Sequence, residues 1–170
     1  MSAAAVIDSL EFARAGDELR GSLSVTHLKR LGDVLFDPQG RLTYELRGSR
    51  DERNRAQLEV RISGPLHLQC QRCLGLLDYD VDIASMLLLV PRGAQLDDGI
   101  DNPEGPDVIE ADPELEVAAL IEEEVLLSLP LAPRHAEGAC ESRLPAAQGA
   151  NGVPKAFAQL AALKSPRNPH

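Results

Sequence analysis

Cys70 and Cys73 are separated by two residues, and His135 and Cys140 follow more than sixty positions later. Two thiols at this spacing at the end of a strand point the same way, and a later imidazole and thiol complete a four-ligand set for a tetrahedral ion such as zinc. The step from His135 to Cys140 is long enough for both side chains to converge on one ion. Two further readings stay open. The thiols can pack as small apolar groups without metal, or Cys70 and Cys73 can serve a thiol-bearing adaptor or dithiol redox protein. Redox work calls for a thiolate at a helix N-terminus, whereas Leu74 to Asp78 leads into a strand. The sequence offers no Ser or Cys nucleophile with a well-placed His, no Gly-rich phosphate loop and no paired-carboxylate signature, so no catalytic residue is assigned and the expectation is a binding protein rather than an enzyme.

The elements that must bring these ligands together are legible as periodicity. Glu18 to Leu23 reads as a first strand, and Ser24 is placed to cap a short helix from Val25 to Leu31. Leu42, Tyr44 and Leu46, then Leu58, Val60 and Ile62, then Tyr79, Val81 and Ile83 alternate with polar residues, as half-buried strands do. Gly64-Pro65 suggests a kink in the second of these. The cysteine pair then falls at the turn between the second and third strands. Residues 92–111 are rich in acid, Gly and Pro and read as a mobile acidic loop. Asp112-Pro113-Glu114 is a helix start, and the helix runs to about Ser128, before Pro130. On a helical wheel Leu115, Ala118, Ala119, Ile121, Val125, Leu126 and Leu129 share one face, with Glu122 in its middle and Glu123 and Glu124 outside it. Glu122 either pairs with Arg72 beside the cysteines or reaches water. The Leu-Pro segment 129–133 must be extended and can carry His135 back across the sheet.

These elements predict an α+β fold: an antiparallel meander sheet able to curl towards a barrel, covered by one main helix. Residues 1–140 form the single domain, and 141–170 are a linker and a short C-terminal helix. Phe157 and Leu160 lie on an apolar stripe of that helix, which docks on its own domain or anchors a partner.

Charge narrows the partners. Residues 1–74 hold eleven Lys/Arg against ten Asp/Glu, and residues 75–170 hold six against seventeen, so a polyanion can be met only by the first half. There Arg47, Arg50, Arg53, Arg55 and Arg61 cluster, either as a contact surface or as a solvated loop, and Arg50, Arg53 and Arg55 are the candidate partner-binding residues. With no Trp, two Tyr and three Phe, the composition argues against an aromatic platform for stacked bases. The N-terminal residues resemble no leader, no apolar run approaches bilayer length, and three cysteines suit a reducing compartment; a cytoplasmic location without membrane contact is expected.

Cys70-Gln71-Arg72-Cys73-Leu74, the run Ile121 to Leu131, the His135 to Cys140 segment and the tail Ala156 to Lys164 together resemble the YceD family of large ribosomal RNA accumulation proteins. The resemblance covers residues 60–90 and 112–164. It implies a non-catalytic cytoplasmic factor that supports synthesis, processing or stability of large-subunit (23S) ribosomal RNA in ribosome biogenesis, with no small-molecule substrate. Partners would be the ribosomal RNA precursor or ribosomal and processing proteins, and the acidic charge favours protein contact. Many relatives carry a second close cysteine pair where this chain has His135 and Cys140; that departure leaves zinc as an open cofactor here.

Overall fold

The computed structural model describes residues 5–93 and 105–140. In chain order its elements are β1 (Val6–Ile7), α1 (Ser9–Ala15), β2 (Glu18–Ser24), a 3-10 turn (Val25–His27), α2 (Lys29–Gly32), β3 (Leu35–Asp37), β4 (Arg41–Arg50), β5 (Ala56–Gln69), β6 (Leu76–Val90), β7 (Asp107–Glu110), β8 (Leu115–Glu116) and α3 (Val117–Ser128). The fold is α+β. Its main sheet has the order β2-β4-β5-β6-β7, with β3 also paired to β5.

Alternation decides which side of this sheet is buried. In β5 Ala56, Leu58, Val60, Ile62, Leu66 and Leu68 are all buried and point one way, as the period of two requires. Leu42 and Leu46 of β4 join them, while Asp78, Asp80 and Asp82 of β6 face water. The anticipated kink at Gly64-Pro65 does not interrupt β5. β4 pairs with β5 only as far as Ser63, and the pairing with β3 begins at His67, so Pro65, which has no N–H to give, sits where β6 alone is its paired neighbour. Gly64 is required there: its φ is 148°, and a Cβ would stand 2.6 Å from the Arg41 carbonyl oxygen.

Several expectations are corrected. β7 pairs parallel to β6, so the sheet is mixed, and part of the segment expected to be a loop is a strand; residues 94–104 of it lie outside the described residues. Among the described residues β2 and β7 end the sheet without pairing to each other, so no barrel closes. The main helix starts at Val117 rather than at Asp112, because Leu115–Glu116 pairs with β1 and the Asp112 carboxylate accepts the Glu114 N–H in a tight turn of its own. The helix expected over 25–31 is also broken, at the extended Leu28.

The core lies between the inner sheet face and the helices. Phe12 and Ala13 of α1, Leu31 of α2, and Val117, Ile121 and Val125 of α3 pack against it. α1 crosses β4 so closely that a Cβ on Gly48 would lie 2.7 Å from the Ala13 Cα. Gly48→Ala is therefore expected to cost about 1–3 kcal/mol, because main chain on both sides has to yield. Urea unfolding checks this, and an unchanged midpoint would contradict the packing described.

Candidate metal centre

The turn between β5 and β6 is built to aim two sulfurs together. The Cys70 N–H donates to the Gly75 carbonyl at 2.9 Å, and the Leu74 N–H donates to the Cys70 carbonyl at 2.8 Å. Leu74 adopts a φ of 59°, the left-handed conformation that lets so short a connection reverse, and its side chain is left in solvent. After α3, Leu129 leaves the helix in an extended conformation. The Pro133 carbonyl accepts the Gln71 N–H at 2.8 Å, which docks the later segment on the cysteine turn.

The four ligand atoms of Cys70, Cys73, His135 and Cys140 all lie within 4.8 Å of one another. Cys70 Sγ is 3.7 Å from Cys140 Sγ, and His135 Nδ1 is 3.5 Å from Cys73 Sγ and 3.6 Å from Cys140 Sγ. Zinc bonds of roughly 2.3 Å to sulfur and 2.0–2.1 Å to nitrogen, held tetrahedrally, imply edges of about 3.8 Å for S–S and 3.6 Å for S–N. Three of the six edges match these figures and the other three stay within 4.8 Å, so the donor set is one that could close on the ion. His135 Nε2 lies 2.8 Å from the Leu76 carbonyl; as donor there, it leaves the Nδ1 lone pair for the cluster, the orienting bond a metal-binding imidazole needs.

Electrostatics favour deprotonated sulfur. Burial pushes the Cys70 thiol up, but hydrogen bonds from the N–H groups of Cys73, His135 and Arg72 outweigh it and bring it down to about 5. At Cys140 burial again opposes ionisation and is overcome by the Arg72 and His135 side chains. Cys73 moves the other way: a hydrogen bond from the Gly75 N–H favours its thiolate, but burial and the neighbouring Cys70 and Cys140 sulfurs raise it. Neighbouring sulfurs that ionise first make the remaining one hold its proton more tightly.

The pairing expected between Arg72 and Glu122 is not formed. Arg72 donates from Nε to Cys140 Sγ at 2.9 Å and from an NH2 group to the Ala136 carbonyl at 3.4 Å. Glu122 is buried instead over α2, where one carboxylate oxygen accepts the N–H groups of Arg30 at 2.7 Å and Leu31 at 3.1 Å. These are the amides that a capping side chain would take, and Leu28 at the cap position has no acceptor to offer. Glu124, expected outside the apolar face, is buried as well, and accepts from Ser85 Oγ of β6.

The arginines around the β4–β5 hairpin are largely engaged. Asp51 accepts the Arg53 and Arg55 N–H groups and the Arg55 Nε. Burial would raise this carboxyl, but the bonds from Arg55 dominate and hold it below the usual carboxylate range. Arg50 reaches the Asn54 side chain and the Arg14 carbonyl, Arg61 pairs with Glu59, and Arg47 pairs with Glu18 and Glu45. Phe157 and Leu160 lie outside the described residues. Among the described residues no helix is long and apolar enough to cross a membrane.

The profile of the family described as large ribosomal RNA subunit accumulation protein YceD matches residues 58–164, a span that contains both halves of the Cys/His cluster. No curated protein and no solved structure matches the chain. With well over half of its residues covered by that profile, the chain belongs to the YceD family.

Proposed function

We propose that this protein is a non-catalytic cytoplasmic factor that supports the accumulation of 23S ribosomal RNA by binding, and that a zinc ion held by Cys70, Cys73, His135 and Cys140 clasps its binding surface into shape. The observation that carries this reading is the family match across both limbs of the cluster, together with edges that fit a tetrahedral ion. Zinc in a closed four-ligand site contributes folding energy and offers no open position for chemistry. Cys70 is disfavoured as the attacking thiolate of a dithiol pair, because its side chain is fully buried whereas an attacking thiolate must be reached by its substrate.

Contact with the RNA is proposed to be made chiefly through a protein partner. Of the arginines suited to phosphate, Arg55, Arg61 and Arg47 are already paired with carboxylates, and the chain carries a net charge of −10. A basic ribosomal or processing protein is the complementary partner.

Cells lacking this protein are expected to show a lowered ratio of 23S to 16S ribosomal RNA, restored by the wild-type chain and not by Cys73→Ser. An unchanged ratio would refute the assigned role. Capture of the tagged protein with its partners before and after ribonuclease treatment separates the two kinds of contact. Partners that survive digestion support the protein-mediated route, and complete loss of them shows direct RNA binding.

A further inference from the structure

Cys140 is held differently from the other three ligands. Cys70 is fixed by the main-chain bonds of the turn it opens, Cys73 lies within that turn, and His135 is oriented by the Leu76 carbonyl. Cys140 follows a short reversal closed by the Ala139 N–H and the Ala136 carbonyl, with Gly138 at a φ of 82°. Among the described residues outside the ligand set, the polar group that reaches its sulfur is the Arg72 guanidinium, at 2.9 Å from Nε. A second arm of the same guanidinium reaches the Ala136 carbonyl, the acceptor that also closes the reversal. Arg72 thus spans the gap between the two limbs of the site, from the residue between the cysteines to the far end of the His135–Cys140 loop.

Charge gives this contact a second consequence. Three thiolates and a neutral imidazole around a dication leave one net negative charge, and a guanidinium in hydrogen-bond contact with a ligating sulfur cancels it. An N–H bond to a thiolate also stabilises the anionic sulfur, making it a weaker nucleophile and harder to protonate, and protonation is the step that frees a thiolate from a metal.

Resting on the zinc reading above, we infer that Arg72 is the positioning residue of this centre: its guanidinium seats the Cys140 sulfur as fourth ligand and neutralises the three-thiolate site. The planar fork is essential, because one edge must serve a sulfur and the other a carbonyl. A lysine supplies the charge as a single point and cannot bridge both.

The test uses the full-length protein loaded with zinc or with cobalt(II). Arg72→Gln is expected to bind the metal and to release zinc to a chromophoric chelator about 10–100-fold faster than wild type, the range typical of lost outer-shell partners. Its thiolate-to-cobalt charge-transfer band is expected to move to lower energy, since a sulfur relieved of its hydrogen bond donates more readily. A residue with a purely structural role would leave that band in place. Arg72→Lys, which keeps the charge, is expected to fall between the two in release rate and serves if the Gln variant does not fold. Release rates and band positions equal to wild type in a folded Arg72 variant, while Cys140→Ser loses charge-transfer intensity, overturn the inference and leave the metal centre standing. A wild-type protein that takes up neither ion overturns the metal reading itself.

Discussion

Stripping the protein with a strong chelator, or replacing Cys73 by Ser, is expected to lower its melting temperature by roughly 10 °C and to free the segment 131–140 without dissolving the sheet. The size follows from linkage: a ligand held at about a thousand times its dissociation constant stabilises the folded state by about 4 kcal/mol, and each kcal/mol shifts the midpoint of a chain of this length by roughly 2–4 °C. The loss is local because Leu58, Val60, Ile62 and Ile121 form a core independent of the cluster, whereas His135 and Cys140 lie on exposed chain joined to the sheet through Gln71, Arg72 and Leu76. Calorimetry with and without chelator measures the shift, and hydrogen exchange at the Gln71 amide reports the detachment. A metal-free protein with the same melting point and the same protected amide would show that the four side chains meet without a clasp.

Replacing Glu122 by Ala is expected to destabilise the protein by about 2–4 kcal/mol, more than most changes away from the apolar core. Two hydrogen bonds with a charged acceptor are lost, and the Arg30 and Leu31 amides are left without a partner beneath α3. Glu122→Gln keeps a carbonyl oxygen and is expected to lose about half as much. Chemical denaturation of the two variants checks the order. If Ala and Gln cost the same, the carboxylate is not acting as a cap for α2.

What could be foreseen in the chain divides along the range of the forces involved. The strands around Leu42 to Leu46 and Leu58 to Ile62 follow from alternation, which each residue expresses with its immediate neighbours. The four ligands were recognisable because chemistry restricts which side chains can share an ion. The partner of Glu122 was hidden, since it is the main chain of α2, ninety residues earlier, and carries no signature of its own. β7 was hidden for the same reason: Val108 and Ile109 are too short an apolar run to announce a strand, and their pairing with β6 is a distant event. α1 does carry a local signal, because Asp8 accepts the Glu11 amide at its start and Gly16, with a φ of 72°, closes it. Seven residues are too few to display a helical period.

The pairing of β1 with β8 and the two bonds between Ser9 and Asp112 set a timetable for synthesis. Hairpins β4–β5 and β5–β6 can zip as they emerge, since their partners are adjacent in the chain. Val6 and Ile7 must wait unpaired until the chain beyond Glu116 has been made, and closing so large a loop comes late and slowly. A bulky fusion ahead of Val6 would therefore burden the last act of assembly rather than the first, and the finished molecule would betray it as a sluggish final phase in refolding.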